Sequence, residues 1–95
     1  MPAPSRINDY TTGHSCFPPQ QVVTGSSNVF CGGTAIARVG DYVSYHDCND
    51  EDNHNGTITT GSSTIFSNGL PVSRIGDSVS CGSLLAQGCN SVFMG

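Results

Sequence analysis

Residues 25–46 read GSSNVFCGGTAIARVGDYVSYH, and residues 61–82 read GSSTIFSNGLPVSRIGDSVSCG. Ten of the 22 aligned positions are identical, among them the Phe, the Arg and the Gly-Asp pair. Self-similarity at a fixed spacing of 36 residues is typical of repeat architectures, in which each copy is one small structural unit. The sequence therefore predicts that these two stretches fold alike and pack against each other.

Two fragments at the ends of the sequence extend the pattern. Residues 6–9 (RIND) match the RVGD and RIGD of the two copies, and residues 88–93 (GCNSVF) match the beginnings of the copies. Together the two fragments make a third unit. We therefore expect one domain over residues 1–95, with the third unit split between 1–14 and 88–95. Such a split requires the two ends to meet in space and predicts a ring with pseudo-threefold symmetry.

Local composition favours β-structure with little helix. No window of a dozen residues shows helical periodicity of its apolar positions. Gly32-Gly33 and Asn68-Gly69 are typical of hairpin turns, and Asn-Gly favours type I′. The acidic stretch NDEDNHN, residues 49–55, is expected to be a polar loop. Short runs rich in β-branched residues predict strands at 29–30, 36–39, 57–60, 64–66 and 72–75.

The thin apolar content suggests that something besides a core stabilises the fold. Only 36% of the residues are hydrophobic and none is Trp. Chains of this size often add disulfides or a metal ion. The sequence has five Cys and three His. An odd number of Cys argues against a fully paired disulfide framework, and residues 1–10 contain no apolar run of the kind a signal peptide has. We therefore expect synthesis in a reducing cytoplasm, where Cys and His more often bind metal.

Charge and hydropathy argue against nucleic-acid binding and against a transmembrane helix. The net charge is −4, and the three cations are all Arg, so binding to nucleic acid through phosphates is not expected. No stretch approaches the roughly 20 apolar residues of a transmembrane helix.

The composite motif resembles the PAAR-repeat family. It consists of Gly-Ser-x-x-[Val/Ile]-Phe, a glycine-bearing turn, and then Arg-x-Gly-Asp. The Pro-Ala-Ala-Arg stretch that names the family corresponds to residues 34–38 and 70–74. Two features depart from the family pattern: neither copy has the exact Pro-Ala-Ala-Arg sequence, and the shortest members lack an acidic insertion like the one at 47–55. The resemblance covers nearly the whole chain. It implies a small cone of β-hairpins that sits on the trimeric β-helical spike of contractile phage tails and type VI secretion systems, with a metal ion near its apex.

Alignment of the repeats suggests the ligands of that metal. His14 aligns with His46, and Cys81 lies one position earlier in its own copy, so the three would meet at one level. His54, in the acidic insertion, is expected to be the fourth ligand, with Cys48 as the alternative. Three His and one Cys suit a structural Zn²⁺, and an iron ion would accept the same donors. Cys16, Cys31 and Cys89 are interpreted as structural or incidental.

Other repeated residues predict structural roles. Arg–Asp pairs recur three residues apart in each unit and are expected to be half-buried ion pairs. Each Val-Phe or Ile-Phe pair (29–30, 65–66 and 92–93) is expected in the core. Because neighbours on a strand point to opposite faces, one member of each pair is a candidate for contact with a partner. The ion pairs are Arg6 with Asp9, Arg38 with Asp41, and Arg74 with Asp77.

These features predict a structural protein and not an enzyme. A closed four-ligand site leaves no position for an activated water, and no G-x-S-x-G or phosphate-binding motif with Lys is present. The expected function is a virion component, made in the host cytoplasm, that caps one trimeric spike and helps pierce the target envelope, with transient outer-membrane contact and no small-molecule substrate. The alternatives are a type VI secretion tip that recruits separate effectors and a small zinc-dependent enzyme. A zinc-ribbon nucleic-acid module is disfavoured by the charge.

Overall fold

Three two-stranded antiparallel hairpins make up the regular structure. The computed structural model describes residues 3–13, 18–48 and 51–89, without the side chains of residues 45–48 and 51–55. No helix occurs in these ranges, so the described part has none that is long and apolar enough to cross a membrane. The prediction of a mainly β fold is confirmed. The strands are β1 (Phe30–Cys31), β2 (Thr34–Ala35), β3 (Tyr42–Cys48), β4 (Glu51–Thr57), β5 (Phe66–Ser67) and β6 (Leu70–Pro71), paired β1–β2, β3–β4 and β5–β6.

The two short hairpins turn at the predicted glycines. Asn68 and Gly69 have φ values of 55° and 79°, and Gly32 and Gly33 have 62° and 81°. Positive φ at both central residues is the mark of a type I′ turn, whose twist matches that of the flanking strands. The turn prediction is therefore confirmed.

The long hairpin corrects one prediction. Residues 51–55 were expected in a polar loop, but they lie in β4, which pairs with β3. Register is set near the body of the protein, where Tyr42 faces Thr57 and Val43 faces Gly56. The ladder then continues outward through polar residues, because strand propensity is a weaker determinant than the pairing of neighbouring strands.

A closed ring of backbone hydrogen bonds lies at the centre of the fold. The amide of Ser5 donates to Ser73 O (3.1 Å), Ser73 donates to Ala37 O (3.0 Å), and Ala37 donates to Ser5 O (2.9 Å). Each of the three units thus donates one bond to the next and accepts one from the other. A second set of three equivalent bonds links the units in the opposite sense: the amides of Ile7, Val39 and Ile75 donate to the carbonyls of Ala35, Pro71 and Ala3, respectively. The three units therefore surround one axis, although the exact bounds assigned to them from the sequence stay a prediction.

Each central segment ends in the same tight turn. The Asp amide donates to the Arg carbonyl three residues earlier, at 3.0–3.1 Å in all three units. The third residue of the turn has positive φ, 94° at Gly40, 93° at Gly76 and 76° at Asn8. A type II turn requires this conformation, which Gly adopts freely and Asn tolerates best among the others. The repeated Gly-Asp is thereby explained.

All three Arg–Asp pairs form across these turns. The Asp carboxylate accepts the Arg backbone N–H (2.7–2.8 Å) and two guanidinium N–H groups. The contact is shortest for Arg74 and Asp77, with Nε to Oδ2 at 3.0 Å. Burial raises the pKa of Asp77, but hydrogen bonds from Arg74 and Thr60 together lower it further, so the net pKa lies below the ordinary value. The hydrogen bond to Asp77 raises the pKa of Arg74.

The order of contacts along the axis defines two ends. The segment 20–29 runs antiparallel to 36–44, with Ser26 bonded to Ile36 and Val22 bridged to Val43. We call the end that carries hairpins β1–β2 and β5–β6 the base, and the end from which β3–β4 extends the apex. The structure measures 39 × 23 × 23 Å, and two equal short dimensions are what a body with a threefold axis has.

The hydrophobic core lies between the central ring and the apex. Its buried members come from all three units, so no unit could bury its apolar residues alone. They are Val22, Ala37, Val43, Ile58, Val79 and Leu85.

Candidate functional site

A buried glutamine lies at the apex side of the core. The side chain of Gln20 is 1% exposed. Its Nε2 donates to the carbonyl of Ser44 (2.9 Å), and its Oε1 accepts from Ser83 Oγ (3.2 Å) and, at a longer distance, from Thr11 Oγ1 (3.5 Å). Because a buried amide is costly without partners, these bonds fix the amide and the three segments around it. We call Gln20, Thr11, Ser44 and Ser83 the apex network.

The thiol of Cys81 belongs to the same location. It is half-buried, is not in a disulfide, and lies 3.6 Å from Gln20 Oε1 and 3.9 Å from Ser83 Oγ. Strand β4 passes close beside it, since a Cβ placed on Gly56 would lie only 3.2 Å from the sulfur. The nearest atom to such a Cβ is Val79 Cγ1, at 2.8 Å, so a side chain at this position would clash with the core as well as crowd the thiol.

The backbone brings two of the predicted ligands into register. The Cα of His46 in β3 is the partner of the Cα of His54 in β4. Residues directly opposite in an antiparallel pair have Cα atoms within about 5.5 Å of each other. His54 is two residues from Gly56, which contacts Cys81. The backbones of these His residues therefore run beside the apex network.

The remaining predicted ligands are less completely described. His14 lies outside the described residues, but Gly13, directly before it, donates to Thr11 Oγ1 at 3.4 Å. Cys48 pairs with Glu51 in register, and its side chain and those of His46 and His54 are outside the description. Among the side chains that are described, no three His, Cys, Asp or Glu lie close enough together to hold a metal ion.

The apex network was not found by sequence reasoning. Gln20 occupies the position that Gly56 and Ser83 hold in the other units, since the residues two positions later, Val22, Ile58 and Leu85, donate to equivalent carbonyls. A polar residue at a core position is the signal that would have revealed it. The repeat pattern does not reveal this position, because its three residues, Gln, Gly and Ser, are chemically unlike one another.

Among the residues whose exposure is described, the most exposed apolar side chains lie at the base. Phe30 and Phe66, equivalent residues of β1 and β5, are each 57% exposed. The expectation that the Val-Phe and Ile-Phe pairs lie in the core is wrong for the two pairs described, because both members of each are exposed. The third pair, Val92-Phe93, lies outside the described residues. The exposed apolar residues that we call the apolar base are Val29, Phe30, Ile65, Phe66 and Leu70.

Covalent and polar links tie the base together. Cys31 and Cys89 form a disulfide, so these two cysteines are structural. Between the first and second units, Ser67 Oγ donates to Ser26 Oγ (3.0 Å), and Ser26 Oγ donates to Asn68 Oδ1 (2.7 Å). The hairpins are therefore fixed to one another beneath the apolar base.

Comparison with known proteins identifies the family. The family model described as PAAR motif matches residues 12–93, which include both full copies of the repeat and all the predicted ligands. No curated protein is similar enough in sequence to count as a relative.

Proposed function

Because the chain belongs to the PAAR motif family, whose members are spike-tip proteins of contractile injection systems, we propose that it caps a trimeric β-helical spike. One chain would cover three identical spike chains. The observation that carries the proposal is the closed ring of hydrogen bonds through Ser5, Ala37 and Ser73, by which one polypeptide surrounds a threefold axis. A trimer end and this base have matching symmetry.

The apolar base is the docking surface in this proposal. A trimeric β-helix that ends without a cap exposes strand edges, which invite unwanted pairing. Phe30 and Phe66 occupy equivalent positions in two units, so they would meet equivalent surfaces of two spike chains. Aromatic residues at the centre of an interface usually supply much of the binding free energy.

A metal ion at the apex is part of the proposal. His14, His46, His54 and Cys81 would bind it, with Cys48 as the alternative to His54. The convergence of the apex network on Cys81, Gly13 and the start of β3 supports this set. Nitrogen and sulfur donors suit Zn²⁺, or an iron ion, and a bound structural Zn²⁺ contributes on the order of 10 kcal/mol to small folds. The ion would stiffen an apex that has little apolar core of its own.

The action proposed for the protein is mechanical. As the tip of a spike in the virion, it would concentrate force on the target envelope while breaking no covalent bond. Family membership supports this reading, since PAAR proteins are structural tips.

The central experiment mixes the purified chain with a trimeric β-helical spike protein and measures the mass of the complex by light scattering. We expect one chain per trimer. Three chains per trimer, or no complex, would contradict the proposed symmetry match.

A second experiment counts the metal. Elemental analysis of the purified chain should find one zinc or iron ion, and Cys81→Ala and His14→Ala should each remove it. Comparison of His54→Ala with Cys48→Ala identifies the fourth ligand. If the ion exchanges a bound water and the chain hydrolyses test esters, those results would favour the alternative of a small zinc-dependent enzyme.

A further inference from the structure

The disulfide ties the unit that is built from two distant segments to the first unit. Cys31 in β1 and Cys89 are 58 residues apart in sequence, and both are buried. Cys89 follows the segment 84–88, which pairs with the segment 3–12: Ala86 donates to Tyr10 O and Cys89 donates to Pro4 O. Hydrogen bonds thus join these two segments independently of the disulfide, which connects Cys89 to β1.

Cys89 and Cys31 have serine counterparts in the other units. The amide of Cys89 donates to Pro4 O, as the amides of Ser26 and Ser62 donate to Ile36 O and Val72 O, so the three are equivalent. Cys31 and Ser67 are equivalent because each is the last residue before the two-residue turn of its hairpin.

The contact between these two equivalent positions of neighbouring units, which we call the junction, therefore occurs once with sulfur atoms and once with oxygen atoms. Cys89 of the split unit is bonded to Cys31 of the first unit, and Ser26 of the first unit is bonded to Ser67 of the second, Oγ to Oγ at 3.0 Å. All four side chains are buried. A pair of uncharged side chains that are not cross-linked thus fits this junction without any covalent bond.

We propose that Cys31–Cys89 is a redox-operated closure of the base. In the reduced chain the two thiols lie against each other as Ser26 and Ser67 do, and the fold is complete. In an oxidising medium a small organic disulfide, such as oxidised glutathione, accepts the two electrons. One thiolate attacks it and releases a thiol, and the second thiolate then attacks the mixed disulfide and releases another. The closure thus strengthens the protein after it leaves the reducing cytoplasm.

The disulfide acts where the split unit meets the first unit of the ring. The cross-link encloses residues 31–89, and closing a loop of this length removes much of the entropy of the unfolded chain. The oxidised protein is expected to melt roughly 10 °C or more above the reduced protein, at equal metal content.

The test compares the full-length protein in reduced and oxidised glutathione buffers. Oxidation should lower the intact mass by two hydrogen atoms, and peptide mapping should link residue 31 to residue 89. The double variant Cys31→Ser/Cys89→Ser should fold and should have the melting temperature of the reduced wild-type protein in both redox buffers. A different pairing, or a reduced protein that is unfolded, would overturn the proposal.

A reciprocal variant tests the equivalence of the two junctions. Ser26→Cys/Ser67→Cys should form a second disulfide in the oxidised buffer, although it loses the hydrogen bond from Val29 N to Ser26 Oγ. The matched control is Ser62→Cys/Ser67→Cys. The described hydrogen bonds of the Ser62 and Ser67 hydroxyl groups go to other residues and not to each other, so this pair should stay reduced. Free thiols in the first variant while it remains folded, or a cross-link in the control, would refute the assignment.

Discussion

Replacing both exposed phenylalanines of the base with glutamate should strongly weaken docking on the proposed spike. A Phe side chain presents about 200 Å², and Phe30 and Phe66 are each 57% exposed in the free chain. Each would therefore bury about 115 Å², worth about 3 kcal/mol at 25 cal/mol per Å². Since only part of such a gain appears as affinity, we expect the Phe30→Glu/Phe66→Glu variant to bind at least about 100-fold more weakly.

The assay is titration of the purified chain against a trimeric spike protein, by calorimetry or interferometry. Leu84→Glu is the matched control, because Leu84 is 45% exposed but lies in the apex half, where it bonds to Thr12. Exposed substitutions change stability by about 0.5 kcal/mol or less, so both variants should melt near the wild type. If the double variant binds as tightly as the wild type, or the control weakens binding equally, the base is not the docking surface.

Three further predictions concern side chains that make hydrogen bonds between distant segments. Asp77→Asn should destabilise the fold by about 2–3 kcal/mol at pH 7, since Asp77 is 6% exposed and holds the Arg74 guanidinium. Because the pKa of Asp77 is lowered by folding, its contribution to the free energy of unfolding is fully present above the unfolded pKa of about 4 and is lost as the pH falls through the lower folded pKa. Urea titrations should therefore show the stabilities of the wild type and the variant converging below about pH 4. Gln87→Thr should raise stability by about 1 kcal/mol, because Thr24 and Thr60 donate to the Asp carboxylates of their units, whereas the Asp9 carboxylate accepts, among the described residues, only from Arg6. A fall in the melting temperature would count against it. Gln20→Leu should lower both stability and metal content, measured by melting and elemental analysis, and unchanged metal content would separate the apex network from the proposed site.

The sequence was most informative where a repeated residue has one physical explanation. Gly40, Gly76 and Asn8 all have positive φ, and the Gly of the repeated Arg-x-Gly-Asp motif is legible in the sequence because this turn admits few other residues. The Asn68-Gly69 turn was predictable for the same reason. Backbone requirements of this kind act locally, so they are visible in a short stretch of sequence.

Features that depend on partners distant in sequence were not predictable. The pairing of Cys31 with Cys89 is one of several that five cysteines allow, and spacing alone does not choose among them. β4 owes its conformation to β3 and not to its own polar composition. The exposure of Phe30 was misjudged because apolar residues are assigned to the core by default, and only the position of the base shows otherwise.

The two ends of the molecule keep the threefold symmetry to different degrees. Below the central ring, equivalent positions have similar chemistry, as the junctions at Ser26 and Cys89 show. Above it the units diverge: Thr11 stands where the others have Val43 and Val79, and the apex network is built around a single Gln. A homotrimer could not do this, because each of its chains would place the same residue at each level. Joining three units in one chain lets the base stay symmetric, as the proposed trimeric spike would require, while the apex becomes asymmetric, as the proposed metal site with one sulfur among nitrogen ligands would require.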